Sequence, residues 1–571
     1  MYLREFLSNR KFNFFILSLL VCVACYLMGN LFLTGALNDF YVICLLPLIF
    51  HPFLTLLYVF ITFVFLVINF KNRQDMKCYG VISASVLFLL VAIFSIQDIT
   101  YTSFSTIVSF VFLFISLIAL TSVLFVITYV EKLNVYSCYF AVIVPLGLIY
   151  YFAILPWSAP DAVRHMAATY RFSNIVLGQE EWSARKIDSD FFENVWINYK
   201  DVSLDGYRAV LDNIKNPADS EKTEELSIKD TDMTCYSFIS YLPLVAGVVT
   251  GRLFTLNTLQ TAYLSKLFMF VFYVFGVFLA IKIIPRFKYT IAMIAVLPIS
   301  LMYASGISYD GMVIVTTLNF IASLFAFSEK SNQFNLLMLC LWTFLMISCK
   351  GGGYILLLPL IFGMKKKSIA LILGVTLLSL LIFNNFLYTT QPMFQLNKNI
   401  DVNLYTSWAF GHPLEYMSLV FNTYKKHFFE LSFQLLGSKL GWLQPTIDRE
   451  FITVLFVIMI LAANKEGIGI KNGYTNIFLW IFVLFIAILT IPLLLLCETP
   501  KDADFIFGVQ GRYFLPFLPV FMFLVGGAAN KLPVKVKNII EKININAVFL
   551  CFTVVSYICV YCMMQSFWRA A

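Results

Sequence analysis

Two aspartates, one histidine and two isolated cations stand out in this sequence, because each lies at the edge of an apolar run. Asp161 and His165, in PDAVRH (160–165), are spaced i, i+4 and so share a helix face. Asp310 closes the segment ISYD, just before another apolar run. A carboxylate at such a boundary suits two tasks: taking a proton from a hydroxyl, or offsetting positive charge that develops at a sugar carbon. Lys350, in SCKGGGY, stands beside three glycines that let a backbone approach a ligand closely, and its ammonium is a compact charge for phosphate. Arg512, between Gly511 and Tyr513, can grip a phosphate through two parallel hydrogen bonds. Each residue also has a purely structural reading. Asp161 and Asp310 can serve at helix starts, Lys350 can snorkel to an interface, and Arg512 can anchor a helix end.

The elements that must hold these residues are membrane spans. Of 571 residues, 60 % are hydrophobic and 13 % charged, against roughly a quarter charged in an ordinary soluble domain. Apolar runs recur at lengths that cross about 30 Å of hydrocarbon, giving an all-α, polytopic bundle of about fifteen transmembrane helices. The net charge of +8 is a topology signal rather than a sign of nucleic-acid affinity, because most basic residues fall in short loops between apolar runs. Residues 156–236 are the exception, with 15 acidic side chains against 9 basic, a balance of −6 that leaves +14 for the rest.

With Arg4, Arg10 and Lys11 in the cytoplasm, helices near 13–33, 41–69, 80–96, 105–129 and 136–155 deliver loop 156–236 to the outside. Within it, Phe172, Ile175 and Val176 give the helix that starts near Asp161 an apolar side, as expected of a helix lying along the membrane surface. The segment 237–254 reads as interfacial or re-entrant. If it spanned, Arg286 and Lys288 would face outward, and every later basic loop would invert. Further helices then fall near 263–284, 289–307, 312–328, 333–348, 351–364, 368–388, 451–463, 475–497, 513–530 and 546–565. Lys330, Lys365, Lys465, Lys471, Lys531, Lys535 and Lys537 lie inside, and loops 389–449 and 498–512 lie outside with Asp310 and Lys350. Residues 1–135 form a four-helix module with almost no polar residue beyond His51 and its loop charges, and 136–571 form the module that carries the chemistry. The twelve cysteines show no metal-ligand spacing; Cys235 and Cys497 would both lie near the outer surface, where a disulfide is conceivable.

Taken together, PDAVRH with Tyr170, Arg171 and Gly178, then YLPL (241–244), ISYDG (307–311), KGGGY (350–354), LGWL (440–443) and GVQGRYFLPFLP (508–519) resemble an uncharacterised bacterial family of polytopic membrane proteins. That family looks like a branch of the C-class (GT-C) glycosyltransferases, and the resemblance covers about 136–530. It implies transfer of a sugar from a polyprenyl-phosphate or polyprenyl-diphosphate carrier to a cell-envelope glycan, lipid or protein on the outer face of the cell membrane. It implies Asp161 as the catalytic carboxylate, Asp310 as the carboxylate of the second outer loop, His165 as a further catalytic residue, and Lys350, Arg512 and Gln510 around the donor phosphate. A divalent metal, Mg or Mn, stays open. The sequence departs from the family at Ala162, where an acidic residue ordinarily follows the aspartate. Asp161 and Asp310 alone would make an incomplete oxygen shell for a cation.

Other classes compete with this expectation. A transporter or flippase of lipid-linked sugars needs charges near the midplane or paired broken helices. Mid-helix charges are nearly absent, although Asn384, Asn385 and Pro298 interrupt apolar runs. A glycan polymerase or ligase would share the lipid-linked substrate, yet the first outer loop is acidic rather than Arg-rich. A non-catalytic scaffold draws its support from Ala162.

Overall fold

The structure is a computed structural model that describes residues 134–181, 183–185, 223–225, 237–386, 402–441, 443, 446–469, 477–496, 499–500 and 503–569. The four helices expected within 1–135, most of loop 156–236, residues 389–401, Cys235 and Cys497 lie outside these.

Helix α1 (Val135–Ala153) starts at Asn134, whose side chain accepts from the Tyr136 amide, and ends at the LPWSAP turn. Helix α2 (Ala162–Leu177) carries the first motif and closes on Gly178 in the left-handed region. Strands β1 (Ser183–Arg185) and β2 (Thr223–Glu225) pair antiparallel, a small ribbon within an otherwise helical protein. Helices α3 (Phe238–Leu253) and α4 (Thr258–Ile283) form a hairpin. Gly247 lets it close, since a Cβ there would sit 2.5 Å from the Ser265 Cα. Asn257 and Gln260 cap α4 reciprocally, each side chain taking the other residue's amide.

The span expected at 289–307 is broken into α5 (Lys288–Ala295) and α6 (Pro298–Ala304), because Pro298 cannot donate into the preceding turn. Helices α7 (Asp310–Glu329) and α8 (Gln333–Ser348) follow. The expected helix 351–364 is a 3-10 helix, Lys350–Gly363, with three glycines at its start and Pro359 inside. Then come α9 (Lys366–Phe386), α10 (Val402–Gly411), α11 (Pro413–Leu436), α12 (Arg449–Gly467) and α13 (Ile477–Leu494). The expected span 513–530 begins as a 3-10 helix (Gly511–Phe517) with Pro516 inside it, and continues as α14 (Leu518–Ala528). Helices α15 (Val534–Lys542) and α16 (Ile545–Arg569) end the chain.

Among the described residues, Thr258–Ile283, Asp310–Glu329, Ile477–Leu494 and Gly511–Lys531 are each long and apolar enough to cross a membrane, and α15 with α16 passes the same test as a pair bent by 74°. Several shorter apolar helices pack between them. The result is an all-α membrane bundle with a buried apolar centre formed chiefly by α1, α4, α5, α6 and α7.

Hydrogen bonds fix which helix ends lie together. At one end, Lys288 Nζ donates to the Tyr136 hydroxyl and the Ile281 carbonyl, and the Glu466 carboxylate accepts from the Tyr289 and Thr290 amides. Lys465 reaches the Glu541 carbonyl at that same end. At the other end, Lys266 binds the last carbonyls of α1, and Arg512 meets Tyr303 and the two candidate aspartates. Helix α3 starts beside Ser348, where the Ser237 hydroxyl donates to the Ser348 carbonyl, and it ends at the turn into α4. It therefore does not run to the basic end.

Candidate active site

The first motif is placed by a buried lysine. Lys266, 0 % exposed in α4, donates to the Tyr151 carbonyl at 2.7 Å and the Ile154 carbonyl at 2.5 Å. These are acceptors that the last turn of α1 leaves open, and the cation sits at the negative end of that helix dipole. Its ammonium also lies over the Tyr151 and Tyr263 rings. The chain then turns through Trp157, buried, and reaches Asp161.

Asp161 was expected in the first turn of a helix. It occupies the N-cap position of α2 with φ 58°, and its side chain makes no capping bond. A non-glycine residue in the left-handed region carries strain, of which Asp tolerates more than most. The carboxylate is turned to two cations: Oδ1 lies 3.9 Å from Arg164 Nη1, and Oδ2 lies 3.5 Å from Arg512 Nη2. Ala162, at the family's usual acidic position, is wholly buried. A carboxylate there would need a buried partner.

Asp310 does not cap a helix at 312–328 either. It is the first residue of α7, Tyr309 holds the N-cap position, and the Asp310 amide donates to Ser308 Oγ at 3.1 Å. Its Oδ2 lies 3.9 Å from Arg512 Nη1, so one guanidinium stands between both candidate carboxylates. Arg512 Nη1 also donates to the Tyr303 hydroxyl at 3.0 Å, and Nη2 to the Tyr513 hydroxyl at 3.3 Å. The Arg512 side chain is only 10 % exposed, and among the described residues its buried Nε has no hydrogen-bond partner. At 3.5 and 3.9 Å, the carboxylate contacts are ion pairs rather than short hydrogen bonds.

Gly511 explains how Arg512 gets there. A Cβ at that position would stand 2.3 Å from the Leu435 amide nitrogen and 2.4 Å from the Leu431 carbonyl, so only glycine lets this strand of chain lie against α11. The Gly511 amide donates to Gln434 Oε1 at 3.1 Å. Behind it, Glu430 accepts from Lys439 at 2.6 Å and from Gln434 at 3.3 Å, and lies 3.4 Å from His427 Nδ1. The Lys439 hydrogen bond holds the Glu430 carboxyl below its ordinary value. Pro160, Tyr303, Gln434, Lys439, Gln510 and Arg512 line a small, part-open recess.

His165 is buried, its Nδ1 2.9 Å from the Tyr241 hydroxyl and its ring edge-on to Tyr309, next to Asp310. Lys350 opens its 3-10 helix directly after Cys349, and Tyr354 of that helix packs on Phe517. The structure thus joins Asp161, Asp310 and Arg512 directly, puts Gln510 on the recess wall, and sets His165 behind the turn that bears Asp310. The sequence reading missed Tyr303, Gln434, Lys439 and Lys266. Lys439 adjoins the LGWL motif, and Lys266 is the one charge ahead of the last turn of a 26-residue apolar helix; both were readable signals. A bound divalent cation does not fit this donor set. The charge between the two carboxylates is a guanidinium, and among the described residues no three His, Cys, Asp or Glu cluster as metal ligands.

Residues 146–522 match the model of a family described as Predicted membrane protein (DUF2142). The chain belongs to that family. No curated protein and no solved structure matches it. The DUF2142 region contains Asp161, His165, Asp310, Lys350, Lys439, Gln510 and Arg512, while α15 and α16 lie beyond it. A multi-pass location in a membrane follows from the family and from the long apolar helices.

Proposed function

We propose that this DUF2142 protein is a glycosyltransferase that moves a sugar from a polyprenyl-phosphate-type lipid donor to a cell-envelope glycan, lipid or protein on the non-cytoplasmic face of the cell membrane. The observation that carries the reading is Arg512, nearly buried between Asp161 and Asp310, with an N–H that has no partner among the described residues. A cation with spare donor capacity at a membrane-embedded boundary suits a lipid phosphate, and the two carboxylates suit the other half of the reaction.

In this scheme Asp161, a third exposed, takes the proton of the acceptor hydroxyl. The acceptor oxygen bonds to the anomeric carbon as the bond from that carbon to the phosphate oxygen breaks. The electron pair leaves with the lipid phosphate, whose growing charge meets Arg512, aided by Gln510 on the same wall and by Lys350. Asp161 and Asp310 offset positive charge at the sugar, and Asp310 with Tyr303 keeps the guanidinium aimed. His165 steadies Tyr309 and so the turn that presents Asp310. A transporter would use a mid-helix charge along its path, but Lys266 is committed to two backbone carbonyls.

Asp161→Asn tests the scheme. Asn keeps the shape and adopts the left-handed region readily, so the variant is expected to insert and fold as wild type. Transfer from lipid-linked sugar in proteoliposomes is expected to fall by about two to four orders of magnitude. Glu415→Gln, on the exposed start of α11, serves as the control. Equal rates in Asp161→Asn and wild type would remove Asp161 from the chemistry.

A further inference from the structure

The end of the bundle opposite the site carries a helix that the chemistry does not use. Helix α15 (Val534–Lys542) is bent by 74° from α16, one of the apolar helices. When α16 runs near the membrane normal, α15 lies close to the membrane plane. It is tied down on one side only: Ile540 is buried, and Lys465 of α12 reaches the Glu541 carbonyl. Its other residues are exposed apart from half-buried Lys537, with Val534 at 71 %, Ile539 at 64 % and Val536 also exposed. Four lysines stand in and just before this helix, Lys531, Lys535, Lys537 and Lys542, against the single acid Glu541.

Large apolar side chains alternating with lysines, on a short helix across the end of a spanning helix, have the makeup of an interfacial segment. The apolar groups enter the boundary between head groups and acyl chains, and the ammonium groups stay at head-group depth, where they attract anionic phosphates. The bend supplies the orientation and the lysines supply the charge complement. We infer that α15 is a docking surface for anionic phospholipid head groups in the leaflet opposite the candidate active site. This is independent of the glycosyltransferase reading.

The test is hydrogen–deuterium exchange of the full chain in nanodiscs of phosphatidylcholine alone, or of phosphatidylcholine mixed equally with phosphatidylglycerol. Peptides over 531–545 are expected to exchange several-fold more slowly in the anionic discs, and the slowing is expected to vanish at high salt. In the triple variant Lys535→Gln, Lys537→Gln, Lys542→Gln the slowing is expected to be lost. In the corresponding triple arginine variant it is expected to persist, which separates loss of charge from misfolding. Identical exchange in both discs, or slowing that survives the glutamine variant, overturns the inference. Equal and fast exchange in both discs would mean that α15 stands free of the bilayer, open to a soluble partner.

Discussion

The two ends of the bundle treat their charges differently. At the basic end, Glu466 accepts from the Tyr289 amide at 3.0 Å, the Thr290 amide at 2.9 Å and the Thr290 hydroxyl at 2.8 Å. It caps α5 from another helix, doing the work that Phe287, in the N-cap position, cannot do. Lys288 is satisfied in the same way, at 3.1 and 2.9 Å. At the site end, Arg512 is more deeply set than most arginines, yet its carboxylate contacts are 3.5 and 3.9 Å and its Nε has no partner among the described residues. Lys266 lies near that end but follows the first pattern, with short bonds to backbone. A buried charge that completes its hydrogen bonds holds helices together; one that leaves capacity over is positioned for something else.

This contrast can be broken at either end. Glu466→Ala strands two amides and a hydroxyl, at least one of them buried, and is expected to cost about 2–4 kcal/mol of stability. Transfer per folded molecule is expected to stay near wild type, as measured by thermal unfolding beside activity in the same discs. A large activity loss at unchanged stability would erase the distinction. Arg512→Lys keeps the charge but loses the fork that reaches both carboxylates and a phosphate. It is expected to weaken donor saturation about tenfold, and Arg512→Ala more, with acceptor affinity nearly unchanged. Wild-type saturation in Arg512→Lys would make Arg512 a helix anchor.

The smallest effect belongs to Glu430. Its carboxyl is held below the ordinary value of 4.5, chiefly by the Lys439 hydrogen bond. A depressed carboxylate contributes stability that is complete above its unfolded value and lost as pH falls through the lowered one. Lys439→Gln removes the main cause, so the carboxyl is expected to titrate closer to 4.5. Stability at neutral pH is then expected to be lower, and the part of the acid limb below 4.5 shallower, because less stability is left to lose there. The change is expected to be small, because the group is a third exposed and screened by water. An unchanged acid limb would show that Glu430 does not depend on Lys439.

Much of this organisation was legible in the sequence. Apolar runs and loop charges located most apolar helices from 135 onward but not α10 and α11, which fall in the stretch 389–449 read as a loop, and GVQGRYFLP, ISYD and PDAVRH were each read as boundary segments of one face. The break before Pro298 was available from the residue type alone. The pairing was not legible. Nothing in the sequence says that Arg512 stands between Asp161 and Asp310, because the three come from distant elements and meet only when α2, α6, α7 and α11 pack. The left-handed Asp161 was hidden for a related reason. Pro160 and Asp161 look like an ordinary helix start, and the conformation is imposed by how the turn after α1 packs. Lys439 was overlooked because its partner, Glu430, sits one helix earlier, across the Gly437 turn.

The central claim is that Arg512 and the two aspartates transfer a sugar away from a lipid phosphate. It is tested most directly by mass spectrometry of proteoliposomes supplied with a lipid-linked sugar and an acceptor. Wild type is expected to release free polyprenyl phosphate in step with glycosylated acceptor, and Asp161→Asn to release neither. Movement of intact lipid-linked sugar between leaflets, with no release of polyprenyl phosphate by wild type, would contradict it.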